Sequence, residues 1–279
     1  MKTFKFLAWM LVATMVAFAA CTKDNDDNDD DDNGNGDPVN PADTVAVENL
    51  VAYFKFDGDV TDEMEHETFS EGVTFTLDRH LNANAAYKGS ETAFVRIDDT
   101  DNFRMGSMTF SMWLRAQQMP GGTNFILTFI DPEMDWNAGY GLWQEGSQRG
   151  DTLRYKAFTR HHQSDVFAWT DTDWGVLREV FFPPAKWFHF VYAYNGETSI
   201  RDLYLDGVQL ASDTLIAEET LMGPVTVPES ASAFYIGRNP NTVQEWIGNY
   251  EGDLDDLRIY NRALTEEEVQ IIYDAEKPE

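Results

Sequence analysis

Tyr250–Val269 reads YEGDLDDLRIYNRALTEEEV, and the way this stretch divides decides the fold. Its middle, DLRIYNR, alternates apolar and polar residues with a period of two, which predicts a half-buried β-strand. Its end shifts to a helical pattern. Thr265 can cap a helix, Glu268 falls at the third helical position, and Leu264 can pack on Val269, which together make a capping box with a hydrophobic staple. A strand closed by one short helix is therefore predicted for the C-terminal end.

Upstream, short apolar-alternating runs recur between Gly, Asn, Asp and Pro. LVAYFKF (50–56), FVRI (94–97), MTFSMWLRA (108–116), NFILTFI (124–130), YGLWQ (140–144), LRYKAFT (153–159), WFHFVYAY (187–194) and AFYIGR (233–238) are each of strand length. Many short strands with a single helix predict an all-β fold, two packed sheets forming a β-sandwich. Asn195-Gly196 and Asp206-Gly207 supply the positive φ of tight hairpins, so Trp187–Ser212 is expected to be a three-stranded meander. Val269, Ile272 and Tyr273 share one face of the final helix, which is expected to clamp the sandwich edge.

Four of these stretches resemble the laminin-G-like jelly roll, part of the wider concanavalin A-like lectin and glucanase fold. They are the opening LVAYFKFDGDVTDE, MTFSMWLRA with Trp113, WFHFVYAYNGETSIRDLYLDG, and FYIGR followed by the closing YEGDLDDLRIYNRALTEEEV. The likeness spans about Ala46–Asp274. It implies a jelly-roll sandwich whose first and last strands lie side by side, and a function in binding glycans or proteins through loops, often with a bound calcium. Fold alone does not settle function.

The carboxylates of the closing stretch invite two chemical readings. Glu251-Gly252-Asp253-Leu254-Asp255 resembles the Glu-x-Asp-x-Glu strand of laminarinase-like enzymes, with Asp at the last place. Alternate residues on a strand lie about 6.7 Å apart, within the roughly 5–9.5 Å that a glycosidase pair requires. The missing glutamate argues against catalysis. Two carboxylates at that spacing repel by about 2.5 kcal/mol at an effective dielectric near 20, so a partly buried cluster wants a hard cation such as calcium. By resemblance, Asp59 and Asp62 of the opening loop and Asp255 of the closing motif would share one structural Ca2+, with Asp57 also offered by that loop.

Aromatic residues carry the binding expectation. Trp113, Trp143 and Trp187 lie in strand patterns and read as core. Trp136, Trp169, Trp174 and Trp246 lie in polar, Gly- and Asp-bearing stretches, where a ring gives a sugar a face to stack on and neighbouring side chains serve its hydroxyls. His161-His162 cannot share one ion if the pair lies on a strand, and a solvent-facing loop is expected. His189 reads as structural, and no catalytic triad accompanies it.

The N-terminal end sets the compartment. Residues 1–20 read as an export signal: Lys2 and Lys5 precede an apolar run that, at about thirteen residues, is shorter than the roughly 20 of a spanning helix. Phe18-Ala19-Ala20-Cys21 resembles the lipobox of bacterial lipoproteins, which implies lipidation of Cys21. Cys21 is the single cysteine, so no intrachain disulfide can form. Residues 21–45 are dense in Asp, Asn, Gly and Pro and read as a disordered acidic tether, with the jelly roll occupying 46–279. An acidic stretch after the lipidated cysteine resembles the signal that sends some lipoproteins to the outer face of the outer membrane. Against 20 Lys and Arg stand 49 Asp and Glu, a formal net charge of −29, which excludes nucleic acid as a natural partner.

The sequence therefore predicts a lipid-anchored, surface-exposed, non-enzymatic jelly-roll lipoprotein that binds carbohydrate and holds a structural calcium. The alternatives are a protein-binding adhesion or assembly component and a glycoside hydrolase.

Overall fold

A computed structural model describes residues 39–119, 121–131, 139–146, 152–161, 166–171, 182–217, 219–240 and 245–279 of the 279-residue chain. Cys21, Trp136, His162 and Trp174 lie outside them.

The closing stretch forms the strand Asp253–Tyr260, which sits inside a sheet rather than at its rim. On one side it pairs antiparallel with Met108–Arg115. On the other its partners change partway: Asp253 and Leu254 face Ala86–Lys88, whereas Leu257 to Tyr260 face the opening strand Leu50–Phe54. First and last strands are thus neighbours. The change of partner coincides with a β-bulge between Asp255 and Arg258, where Asp256 takes a left-handed φ of 44°. The extra residue keeps Leu254, Leu257 and Ile259 in the interior and turns Asp255, Asp256 and Arg258 to the outer face, as bulges do when they re-aim side chains.

This first sheet runs Val208–Thr214, Ile200–Leu205, Phe188–Asn195, Met108–Arg115, Asp253–Tyr260, Ala86–Lys88 and Thr74–Thr76. The second runs Val166–Asp171, Arg154–His161, Gly139–Glu145, Thr123–Ile130, Phe234–Ile236, Phe94–Ile97 and Thr68–Glu71. Ile247–Asn249 lies parallel beside Thr123–Ile130. Between the sheets, alternate apolar side chains form one continuous core that includes Phe54, Phe110, Leu114, Phe129, Tyr140, Phe190 and Phe234.

The hairpin expectations are met unequally. Asp206 and Gly207 both have positive φ, 51° and 77°, as a tight two-residue turn demands. At Asn195-Gly196 the positive φ moves to Ser199. Asn195 instead accepts from the backbone N–H groups of Glu197 and Thr198, and Gly196 serves close approach, since a Cβ there would lie 2.4 Å from the Gly106 carbonyl oxygen.

The helix Glu266–Glu276 carries the complete Thr265/Glu268 capping box. It lies over the outer face of the first sheet, not at an edge: Val269, Ile272 and Leu264 pack with Val191, Tyr204 and Tyr260. The face is chosen because those three strands present apolar side chains outward as well as inward. Ala42, Val45 and Ala46 join the same cluster, so residues that composition assigns to the tether pack on the sandwich.

Candidate functional site

Beneath the end of that helix the acidic stretch meets two arginines. Arg79 donates to Asp255 Oδ2 (2.5 Å), to Asp256 Oδ2 (2.7 Å) and to the Glu276 carbonyl oxygen (2.6 Å), and its guanidinium lies 4.8 Å from the Trp113 ring. Arg258 donates to Glu276 Oε1, to Asp43 Oδ1 (2.8 Å) and to the Tyr53 hydroxyl (2.7 Å). The Tyr53 hydroxyl donates to Asp256 Oδ1 at 2.6 Å, and Trp113 Nε1 donates to Glu276 Oε2 at 2.9 Å. Arg258 and Glu276 each expose only 1% of their side chains.

Here two guanidinium groups face three carboxyls, Asp255 and Glu276 buried and Asp256 partly so. The excess of negative charge in a desolvated place must raise at least one proton affinity. Burial and the neighbouring Asp256 push Asp255 up to about 9 against the pull of Arg79, and burial pushes Glu276 up to about 7. Burial acts upward on Asp256 too, but Arg258, Arg79 and the hydrogen bonds it accepts together hold it below the usual carboxylate range.

The opening loop is engaged elsewhere. Asp62 is buried and accepts from the Tyr53 N–H at 2.7 Å, while its other oxygen lies 2.5 Å from His66 Nδ1. Asp59 is exposed and accepts from the Thr61 N–H, and Asp57 is exposed. A calcium ion wants six to eight oxygens around one centre. Asp57, Asp59, Asp62 and Asp255 do not fit that requirement, because Asp255 is committed to a guanidinium and Asp62 to a histidine. Among the described residues no group of three or more His, Cys, Asp or Glu gathers at metal-binding spacing. Of the carboxylates considered for hydrolysis, Asp253 accepts from Arg115 at 2.7 Å and Asp255 from Arg79, while Glu251 stands exposed outside the strand.

His161 lies on the strand Arg154–His161 and is buried, not in a solvent-facing loop; its ring nitrogens lie 2.8 Å from Thr159 Oγ1 and 3.0 Å from the Gly223 carbonyl oxygen. Burial holds it below the usual histidine value. His189 is buried with Nε2 2.8 Å from Ser111 Oγ, and burial with Arg258 and Arg79 pushes it down to about 3. Trp113 is buried under the helix, stacked on Tyr273, and Trp143 packs with Phe125, Ile130 and Phe158 in a cluster separate from the main core. Trp187 is half-buried beneath the Arg115 guanidinium. Trp169 lies on the strand Val166–Asp171, in register with Phe158.

Trp246 is different. It sits in a turn, 38% exposed, at the edge of a cleft of about 510 Å³. Its carbonyl oxygen accepts from both the N–H and the hydroxyl of Thr123, at 2.9 and 3.1 Å, which fixes the turn against the second sheet. The same cleft is lined by the carboxamide residues Gln117, Gln118, Asn124 and Gln144, and by the carboxylates Glu245 and Glu251. Gln144 is buried and its Nε2 donates to the Gln117 carbonyl oxygen, tying two walls together. Gly122, at φ 77°, lets the chain turn at the rim. A second hollow, of about 610 Å³ at the helix C-terminus, is lined by Arg79, His80, Asp274 and Lys277 but by no Trp, Tyr or Phe. Of the loop tryptophans, Trp246 is the one that the described structure places at a cleft. The amide residues that share the cleft come from separate chain segments, and only the ring in a polar loop is a signal in the sequence.

No curated protein matches the chain by sequence. Among solved structures, the ligand-binding domain of botulinum neurotoxin serotype D, in complex with N-acetylneuraminic acid, superposes with a TM-score of 0.59 at 12% identity, covering 85% of this chain and 53% of that one. Domain 4 of AbnA, a GH43 extracellular arabinanase from Geobacillus stearothermophilus in complex with arabinotriose, gives 0.54 at 17% identity over 81% of this chain and 98% of that one. The binding domain of Paraclostridial Mosquitocidal Protein 1 gives 0.53 at 16% identity, over 82% and 52%. The chain thus spans about half the length of the toxin chains it matches, and at these identities the likeness is one of fold. A family model described as Concanavalin A-like lectin/glucanases superfamily, of the laminin G type, matches residues 88–270, and with its two-sheet jelly roll the chain belongs to that superfamily.

Proposed function

We propose that the domain binds carbohydrate in the Trp246 cleft and does not hydrolyse it. One observation carries this reading: the partly exposed Trp246 and four carboxamide residues line one cleft of about 510 Å³, the size range of small-ligand sites. Rings of sugars offer C–H faces to an indole and hydroxyls to amides. That two structural neighbours were solved with a sialic acid and an arabinotriose agrees with this use of the fold. Asp253 and Asp255 each bind an arginine, which leaves the acidic strand without a free acid and base pair. Trp246→Ala should weaken binding on a glycan array and in calorimetry by tenfold or more, about 1.4 kcal/mol, with an unchanged melting temperature. An array blank for wild type would instead favour a protein partner.

Anchoring belongs to the same proposal. The ending Phe18-Ala19-Ala20-Cys21 supports cleavage before Cys21 and its acylation, and more than one acyl chain gives stable membrane attachment. Cys21→Ser should abolish labelling by radioactive palmitate and move the protein from the membrane pellet to the soluble fraction. Unchanged labelling would reject the anchor.

A further inference from the structure

The charge of the Trp246 cleft goes further than its shape. Among the described residues that line it, Glu245 and Glu251 are the charged ones, both exposed, and none is Lys, Arg or His. The remaining polar lining, which includes Gln117, Asn124 and Gln144, is uncharged. The nearby Arg115 does not supply a cation to the cleft, because its Nε donates to Asp253 at 2.7 Å and its guanidinium covers the Trp187 ring. Over the whole chain the net charge is −29, so the long-range field has the same sign as the local one.

We infer that the cleft selects neutral glycans and rejects those carrying carboxylate or sulfate, with Glu245 and Glu251 as the excluding groups. This rests on the carbohydrate reading of the cleft. Amides accept and donate equally well to hydroxyls, so a neutral sugar pays no electrostatic penalty there. A uronate bound beside Glu251 would set two like charges together with no counter-ion, and discrimination by such repulsion is a common route to specificity. One adjacent like charge in a partly solvated place weakens binding by about tenfold.

The test uses the full chain, solubilised in detergent, titrated with neutral and acidic polysaccharides in pairs: galactan against polygalacturonate, and mannan against mannuronate-rich alginate. Low salt is chosen so that the Debye length, about 20 Å, exceeds the cleft. The neutral member of at least one pair should bind tenfold or more tightly than its acidic counterpart. In Glu245→Gln/Glu251→Gln the gap should narrow to about twofold by a gain for the acidic chain. An acidic member that binds as tightly as the neutral one, and loses binding in Trp246→Ala, would overturn the selection while keeping the cleft as a glycan site. Binding of neither member of either pair would overturn both readings.

Discussion

Arg258→Met is expected to cost the domain about 3–5 kcal/mol, the usual effect of breaking a buried ion pair from one side. In a domain of this size that is about 6–20 °C in melting temperature. The cause is not the lost attraction alone. Arg258 satisfies Glu276, Asp43 and Tyr53 at once, and without it the Glu276 carboxylate remains buried against a sheet that offers only Trp113 Nε1 and the more distant Arg79. Because Glu276 is the last residue of the helix, the loss should loosen the helix before it loosens the sandwich. Hydrogen exchange should therefore show protection lost first across 266–276. An exposed pair provides the contrast: Arg201→Met breaks a 2.8 Å bridge to Asp213, whose carboxylate keeps most of its solvation, and should cost under about 1 kcal/mol. Equal costs for the two variants would show that burial of the network contributes nothing.

Stability should fall as pH rises from about 6.5 to about 9. Asp255 and Glu276 have folded-state values raised to about 9 and about 7. In that window the folded state holds protons that the unfolded state has released, so the stabilising protonated form is lost as pH climbs through the folded values. The buried histidines act on the other side. His189, lowered to about 3, must gain a proton on unfolding below about 6.5, so its contribution is lost as pH falls. The region above 6.5, up to the onset of tyrosine ionisation in the unfolded chain near pH 9, therefore reports on the carboxyls. Asp255→Asn removes the proton that must leave while keeping the size of the side chain, and it should flatten the alkaline slope. A wild-type melting temperature that is level or rising between pH 6.5 and 9, or an equal slope in Asp255→Asn, would sink this account of the network.

Local signals in the sequence served the fold well. The alternation in MTFSMWLRA and WFHFVYAY, the Thr265/Glu268 box and the Asp206-Gly207 turn are each settled within a few residues, and the structure follows them. Signals failed where the deciding partner is far along the chain. Asp255 reads as an unpaired carboxylate until Arg79, 176 residues away, is folded onto it, and nothing in the run LDRHLN marks that arginine as a cation for the closing strand. The same distance hides the packing of Pro41–Thr44, which looks like more of a polar tether: Ala42 finds a place under the helix and Asp43 finds Arg258, 215 residues on. His161 is expected in a solvent-facing loop, whereas the strand continues to His161 itself and its ring is buried against Thr159 and Gly223, the latter 62 residues away. At the cleft, the exposed Trp246 is legible and the amides beside it are not, since Asn124 and Gln144 meet only through strand pairing in the second sheet and Gln117 joins them from the end of a first-sheet strand.

The closing strand also sets a direction. Leu50, where the chain enters the first sheet, pairs with Tyr260 at one end of that strand, while Glu251 and Gly252 of the cleft precede Asp253 at the other. Eight residues of extended chain separate them, about 26 Å. The cleft therefore lies at the far end of the closing strand from the point where Leu50 joins it. Near the Leu50 end, Arg258 fastens Asp43 and Glu276 to the strand, so losing that grip would free the first and last described segments while leaving the pairing of Thr123 with Trp246 at the rim intact.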